Sequence, residues 1–318
     1  MTLLNQHERQ IARALQINPR ASISAIAQSL EMPAHRVRST CEKLMRSGAL
    51  KVHAIVAPEV LGQPLVTGFR LRLTGERDKA IDILSARAEF HWMVVANDWD
   101  TLLATANFTS FREIQNFSEQ VIRKTPGVRE ITSQLYLAFR PIPYFDNDGS
   151  EADLSAPKDF DKLSELDLAL LRCFQEDARI TYSDAGKRLG LSLSATRQRA
   201  MKLEESGILN FHVLPDPFVL GLGSAIMVSV KTTGLLEPVR QHLQKLSGAT
   251  FLAETTGSYA LSLEIFSESA NELDAQLEQI LATPGVLDIR TDHYRKIVRD
   301  TGTWSTTAWR PGAEISSC

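Results

Sequence analysis

Apolar positions along this chain follow a helical period, change to a strand period, and then do both again. Leu4, Ile11, Leu15, Ile23, Ile26, Ala27 and Leu30 recur at the spacing of one helix face. Asn5 stands where an N-cap belongs, ahead of a helix that Pro19 ends. A second helix is predicted over 24–30 and a third over 34–47, with the turn Glu31-Met32-Pro33 between them and Gly48 as the stop. Past Val60-Leu61-Gly62 the period becomes two. It predicts a strand over 66–73, a helix over 77–88, a hairpin of 90–96 with 101–108, a helix over 111–124, and a strand from Val128.

The second half repeats the plan. Ser164 caps a helix that runs through Phe174, Ser183 begins the next, and Leu189-Gly190-Leu191-Ser192 makes the turn. A third helix is predicted over 194–206, ending at Gly207. Then come a strand over 225–231, a helix over 235–246, a hairpin of 250–255 with 261–266, a helix over 270–281, and a strand from Val286.

This repetition is a duplication. At an offset of 159 positions, residues 4–62 align with 163–221 without a gap, and 17 of the 59 pairs are identical. Thr125-Pro126-Gly127-Val128 reappears as Thr283-Pro284-Gly285-Val286. Three prolines and six acidic residues between 141 and 162 read as a solvated linker. The predicted class is α+β, with two helix-turn-helix domains (1–60 and 163–219) alternating with two ferredoxin-like βαββαβ domains (61–140 and 220–298) and a tail over 299–318.

Charge gives the helices a use. The net charge of −3 excludes a chain that coats nucleic acid indiscriminately, so the location of the cations matters. From 33 to 51 there are five basic residues and one acid, and from 187 to 202 five basic residues and none. Arg38 aligns with Arg197 and Lys43 with Lys202. Arg36, Arg38, Ser39 and Lys43 in the first copy, and Ser194, Thr196, Arg197, Arg199 and Lys202 in the second, are the predicted contacts to double-stranded DNA. The planar fork of arginine suits both guanine O6/N7 and phosphate.

The three cysteines, Cys41, Cys173 and Cys318, fit neither a disulfide framework nor a zinc pattern. No metal ligands, catalytic residues or cofactor are expected. No apolar run is long enough to span a bilayer, and the polar first ten residues lack a signal-peptide stretch, which predicts a cytoplasmic protein.

Each copy resembles the Lrp/AsnC ("feast/famine") family of regulators. The resemblance rests on Leu189-Gly190-Leu191-Ser192 with Arg197, on 202–209, on Thr256-Gly257-Ser258-Tyr259 with Leu263, and on the two Thr-Pro-Gly-Val tetrapeptides. It implies a winged helix-turn-helix joined to an effector-binding (RAM/AsnC-type) domain, assembly into homo-oligomers, and an amino acid or related small molecule as effector. Thr256, Gly257, Ser258 and Tyr259 are the implied effector contacts, with Asn97 and Asp98 at the matching turn of the first copy, where Asn97 replaces the glycine. Tandem Lrp-like chains also resemble sirohaem decarboxylases, which use histidines and arginines in the ligand domain. Here His91, His242 and His293 are scattered, and His53 and His212 lie beside the wings.

Overall fold

Asn5 opens the fold with a reciprocal cap. Its side chain accepts from the Glu8 N–H at 3.0 Å, and Glu8 Oε2 accepts from the Asn5 N–H at 2.9 Å. The computed structural model describes residues 4–142, 144 and 163–300. Nearly all of the expected linker, the tail with Trp304 and Trp309, and Cys318 therefore lie outside the described residues.

In the first half, α1 (Gln6–Ile17), α2 (Ile23–Ser29) and α3 (Ala34–Arg46) precede β1 (Leu50–Val56). There follow β2 (Leu65–Leu73), α4 (Arg77–Ser85), β3 (Phe90–Ala96), β4 (Thr101–Phe108), α5 (Phe111–Phe117) and β5 (Val128–Pro141). The second half gives α6 (Glu165–Glu176), α7 (Tyr182–Leu189), α8 (Leu193–Glu205), β6 (Leu209–Pro215) and the short α9 (Pro217–Leu220). Then come β7 (Ser224–Thr232), α10 (Leu236–Leu243), β8 (Ala249–Thr255), β9 (Leu261–Ser267), α11 (Ala270–Ala282) and β10 (Val286–Asp300). Helical segments and mixed α/β segments thus alternate along the chain.

The helices predicted over 77–88 and 235–246 end early, at Ser85 and Leu243, the short α9 was not expected, and one further helix changes its type. The segment predicted as a single helix over 111–124 is α-helical only to Phe117 and continues as a π-helical turn, Ser118–Ile122. There the Arg123 N–H donates to Ser118 O at 2.9 Å. The wider turn puts Phe117 and Ile122, five positions apart, into the same core.

The chain divides into two compact units, and the division cuts across the repeats. Of the described residues, one unit comprises 4–51, 134–142, 144 and 213–296, and the other 52–133, 163–212 and 297–300. Each unit thus combines the helix-turn-helix of one copy with the main sheet of the other. The first unit's strand order is β5-β8-β9-β7-β10, and the second's is β10-β3-β4-β2-β5. Without its outermost added strand, each order is the one a βαββαβ chain makes. The fifth strand exists because β5 and β10 run 14 and 15 residues, whereas β7, β8 and β9 run 9, 7 and 7. The surplus length pairs with a sheet edge that would otherwise carry unpaired N–H and C=O groups. In the first unit Tyr136 stands opposite Thr255 and Phe139 opposite Ala253. Phe139 stacks on Phe251 with ring centroids 6.3 Å apart.

Each unit has its own sheet core. Ile226, Val228, Leu243, Leu252, Leu263 and Ile280 centre the first, and Phe69, Phe90, Met93, Phe108, Phe117 and Ile122 the second. The second unit also packs β1 residues Ala54 and Val56 against Leu170, Phe174 and Leu203 of its helices. The Ala57 N–H there donates to Ile208 O at 2.9 Å.

Candidate nucleic-acid interface

The two helix-turn-helix segments are built on the same frame and tightened by different side chains. In the first unit, Val37, Cys41 and Leu44 are the buried face of α3. The helix packs against α1 and α2, whose Ile11, Leu15 and Ile26 are all at most 2% exposed. A period of 3.6 then forces Arg36, Arg38, Ser39 and Lys43 outward, and all four are exposed. Ser39 Oγ donates to Arg36 O at 3.0 Å.

In the second unit Thr181 caps α7 and Ser192 caps α8, each accepting a backbone N–H through its side-chain oxygen. Gly190, between them, adopts φ 68°, the left-handed conformation that the sharp turn needs. Thr196, Ala200 and Leu203 form the buried face of α8. Ser194, Arg197 and Lys202 face outward and are exposed.

The structure corrects Thr196 as a DNA contact. Its side chain is fully buried and its hydroxyl donates to Ser192 O at 2.9 Å. Burial leaves that hydroxyl out of reach of any duplex, and its proton is already given to the backbone. Arg199 is engaged as well: its Nη1 lies 2.7 Å from Asp167 Oδ1 and 3.3 Å from Ser164 Oγ. Lys43 occupies the equivalent role in the first unit, with Nζ 2.6 Å from Glu8 Oε1.

These pairs tie each third helix to the capping box of its first helix. Glu8 and Asp167 occupy matching positions in the duplication. Burial opposes ionisation of Glu8, but the bonds from Lys43 and the Asn5 N–H outweigh it and hold the carboxyl below its ordinary value. Burial likewise opposes ionisation of Asp167, and Ser164 and Arg199 together outweigh it.

Among the described residues, no ion pair engages Arg36, Arg38, Arg197 or Lys202. Two residues outside the sequence prediction share the outer face, His35 on α3 and Gln198 on α8. The i, i+4 step from Ser194 to Gln198 was the available signal.

The turn residues implied as effector contacts divide similarly. Thr256 is occupied, since its N–H donates to Leu135 O and its hydroxyl accepts from the Leu135 N–H, both at 3.0 Å. Gly257 (φ 98°) and Ser258 are exposed, and the Tyr259 ring lies 4.5 Å from the Arg290 guanidinium carbon. In the second unit Asn97 (φ 54°) keeps the left-handed turn and donates to Thr101 Oγ1 at 3.3 Å, and Asp98 is exposed. Among the described residues no group of three or more His, Cys, Asp or Glu side chains is arranged to hold a metal ion, and no helix is long and apolar enough to cross a membrane.

Comparison with known proteins agrees with this geometry. Residues 163–210 match the winged helix-turn-helix DNA-binding family. Over 126 residues, 39% of this chain and 83% of the relative, the sequence is 31% identical to the HTH-type transcriptional regulator FL11 of Pyrococcus horikoshii. It is 24% identical to the HTH-type transcriptional regulator LysM of Sulfurisphaera tokodaii over 125 residues, 39% of this chain and 89% of that protein. Among solved structures, the sirohaem decarboxylase NirDL is similar with a TM-score of 0.60 over 93% of each chain, at 13% identity, a likeness of fold alone. With a helix-turn-helix of this build and such a match to FL11, the chain belongs to the Lrp/AsnC family of HTH-type transcriptional regulators.

Proposed function

We propose that this chain is a tandem regulator that binds double-stranded DNA sequence-specifically, with two winged helix-turn-helix domains alternating along the sequence with two ferredoxin-like effector domains. One observation carries the reading. Arg38 and Arg197 hold the same position on α3 and α8, and both are exposed without an ion pair among the described residues, while Lys43 and Arg199 on the same helices are engaged by acids. Cations left outside the intramolecular network are the ones available to phosphate or guanine. Arg36, Ser39, Ser194 and Lys202 complete the contact surface, with α3 and α8 as the major-groove elements.

An amino acid or related small molecule is the proposed effector, and homo-oligomers the proposed assembly. Gly257 and Ser258 support the first point, because an exposed turn with a left-handed glycine offers backbone N–H groups to a carboxylate. The effector acts by binding one arrangement of the protein more tightly than another. A cytoplasmic location goes with this role.

The test is binding of the full chain to enriched duplexes across a salt series. Affinity falls steeply with salt, and Arg38→Ala and Arg197→Ala each weaken it, lowering the log–log slope by about 0.9 for each phosphate that is no longer neutralised. A protein that shows no salt-dependent duplex affinity and purifies with a tetrapyrrole absorption band overturns the reading in favour of chemistry like that named for NirDL.

A further inference from the structure

The two recognition helices occupy matching places in the duplication but do not present the same outer face. Arg38 and Arg197 are the shared element. One position further along, Ser39 on α3 is replaced by Gln198 on α8, and both are exposed. At the start of the helices, Ala34 is replaced by Leu193, whose side chain is 58% exposed. One turn beyond the arginines, Glu42 is replaced by Met201, 45% exposed.

These replacements change what each helix can recognise. A glutamine amide matches adenine N6 and N7 in bidentate fashion, which a serine hydroxyl cannot do. Leucine and methionine supply apolar surface that suits a thymine methyl. Glutamate accepts from cytosine N4 and repels phosphate, so it selects where methionine does not. The buried faces give no reason for the differences, because Leu193, Gln198 and Met201 all point away from the unit's core.

We infer that the two recognition helices of one chain read dissimilar DNA sub-sites. They share a guanine opposite Arg38 or Arg197 and differ at the bases facing Ser39 and Gln198, with the α8 sub-site carrying adenine and thymine. A single-copy chain that pairs with itself presents two identical helices, whereas this chain carries two different readers in one polypeptide. The inference rests on the DNA-binding reading above and adds the sequence class of the operator.

The experiment is selection of random duplexes by the full-length wild-type chain and by its Gln198→Ala variant, followed by sequencing. The wild type is expected to enrich a site that resolves into two different sub-motifs. Gln198→Ala then relaxes base preference by roughly 5- to 150-fold at one position of one sub-motif and leaves the other intact. Because Gln198 is exposed, folding is not at stake, and a triple graft of Ala34→Leu, Ser39→Gln and Glu42→Met should shift the α3 sub-motif toward the α8 one at the bases those three positions face. Two identical sub-motifs in the wild-type selection overturn the inference while leaving DNA binding intact, and so does a lone sub-motif. No enrichment of any duplex overturns the DNA-binding reading, and this inference with it.

Discussion

A Cβ on Gly186 would lie 2.7 Å from the Thr196 hydroxyl oxygen and 2.7 Å from Leu191 O. The glycine in α7 and the threonine in α8 are therefore one packing device. In the first copy the same two positions hold Ala27 and Val37, a pair without a hydroxyl. Gly186→Ala should cost the second unit about 1–3 kcal/mol through overpacking against a backbone carbonyl that cannot rotate away. Gly190→Ala, at φ 68° with open space around it, should cost about 1 kcal/mol from the left-handed conformation alone. Denaturant unfolding of the two variants checks the order, and equal costs would contradict it.

Glu8 has two partners, the Asn5 N–H and Lys43 Nζ, so its removal loses a cap and an interhelical tie together. Glu8→Ala should lower stability by about 1–2 kcal/mol. Its depressed folded-state pKa means the contribution is complete above the ordinary glutamate value of about 4.3 and is lost as pH falls below it. The variant should therefore differ from wild type at about pH 6 and approach it in acid. A gap that persists unchanged at acid pH argues against the charge-based account.

Two histidines respond at milder pH. Burial lowers His91 to about 3, with the Arg299 charge adding to the effect, and burial lowers His212 to about 4, with His53 adding to it. Both are neutral in the fold. Their contribution is whole above the ordinary histidine value of about 6.5 and is lost as pH drops toward those lower values. Stability should decline as pH falls from about 6.5 toward about 4, by at most about 1.4 kcal/mol per pH unit for each histidine. The slope should be shallower in His212→Asn, and an equal slope in that variant would refute its part in the effect.

Four phenylalanines centre the second unit's sheet core. Phe69, Phe90, Phe108 and Phe117 meet at centroid distances of 5.2 to 6.2 Å, mostly edge-to-face or tilted. Phe108→Ala should cost about 3–5 kcal/mol, visible as a lower denaturation midpoint. A loss under about 1 kcal/mol would mean that the cluster refills the space.

Much of the local structure was legible because its causes are local. Asn5 and Ser164 cap where capping was expected, and the hairpin strands 90–96 and 101–108 fall where period two placed them. The π-helical turn after Phe117 was not legible, since an α-helix and a widened turn share one apolar pattern until a core selects between them. Site residues were read less completely. Thr196 looked like a polar residue on a recognition helix, and only the glycine across from it shows why a hydroxyl is buried there.

The sequence by itself determined the duplication, the order of the elements and the basic character of α3 and α8, because spacing along a chain and periodicity within a helix need no distant partner. Tertiary structure decided which cations of those helices are held by acids and which segments belong to one unit. Lys43 and Arg199 sit one helical turn apart in the aligned copies yet hold equivalent acids, a choice set by side-chain reach across helices. The assignment of each helix-turn-helix to a unit with the other copy's sheet was likewise decided in space, by contacts such as Arg9 with Glu268 at 2.6 Å and the Asp216 N–H donating to Ala49 O at 3.0 Å, which no spacing along the chain foretells.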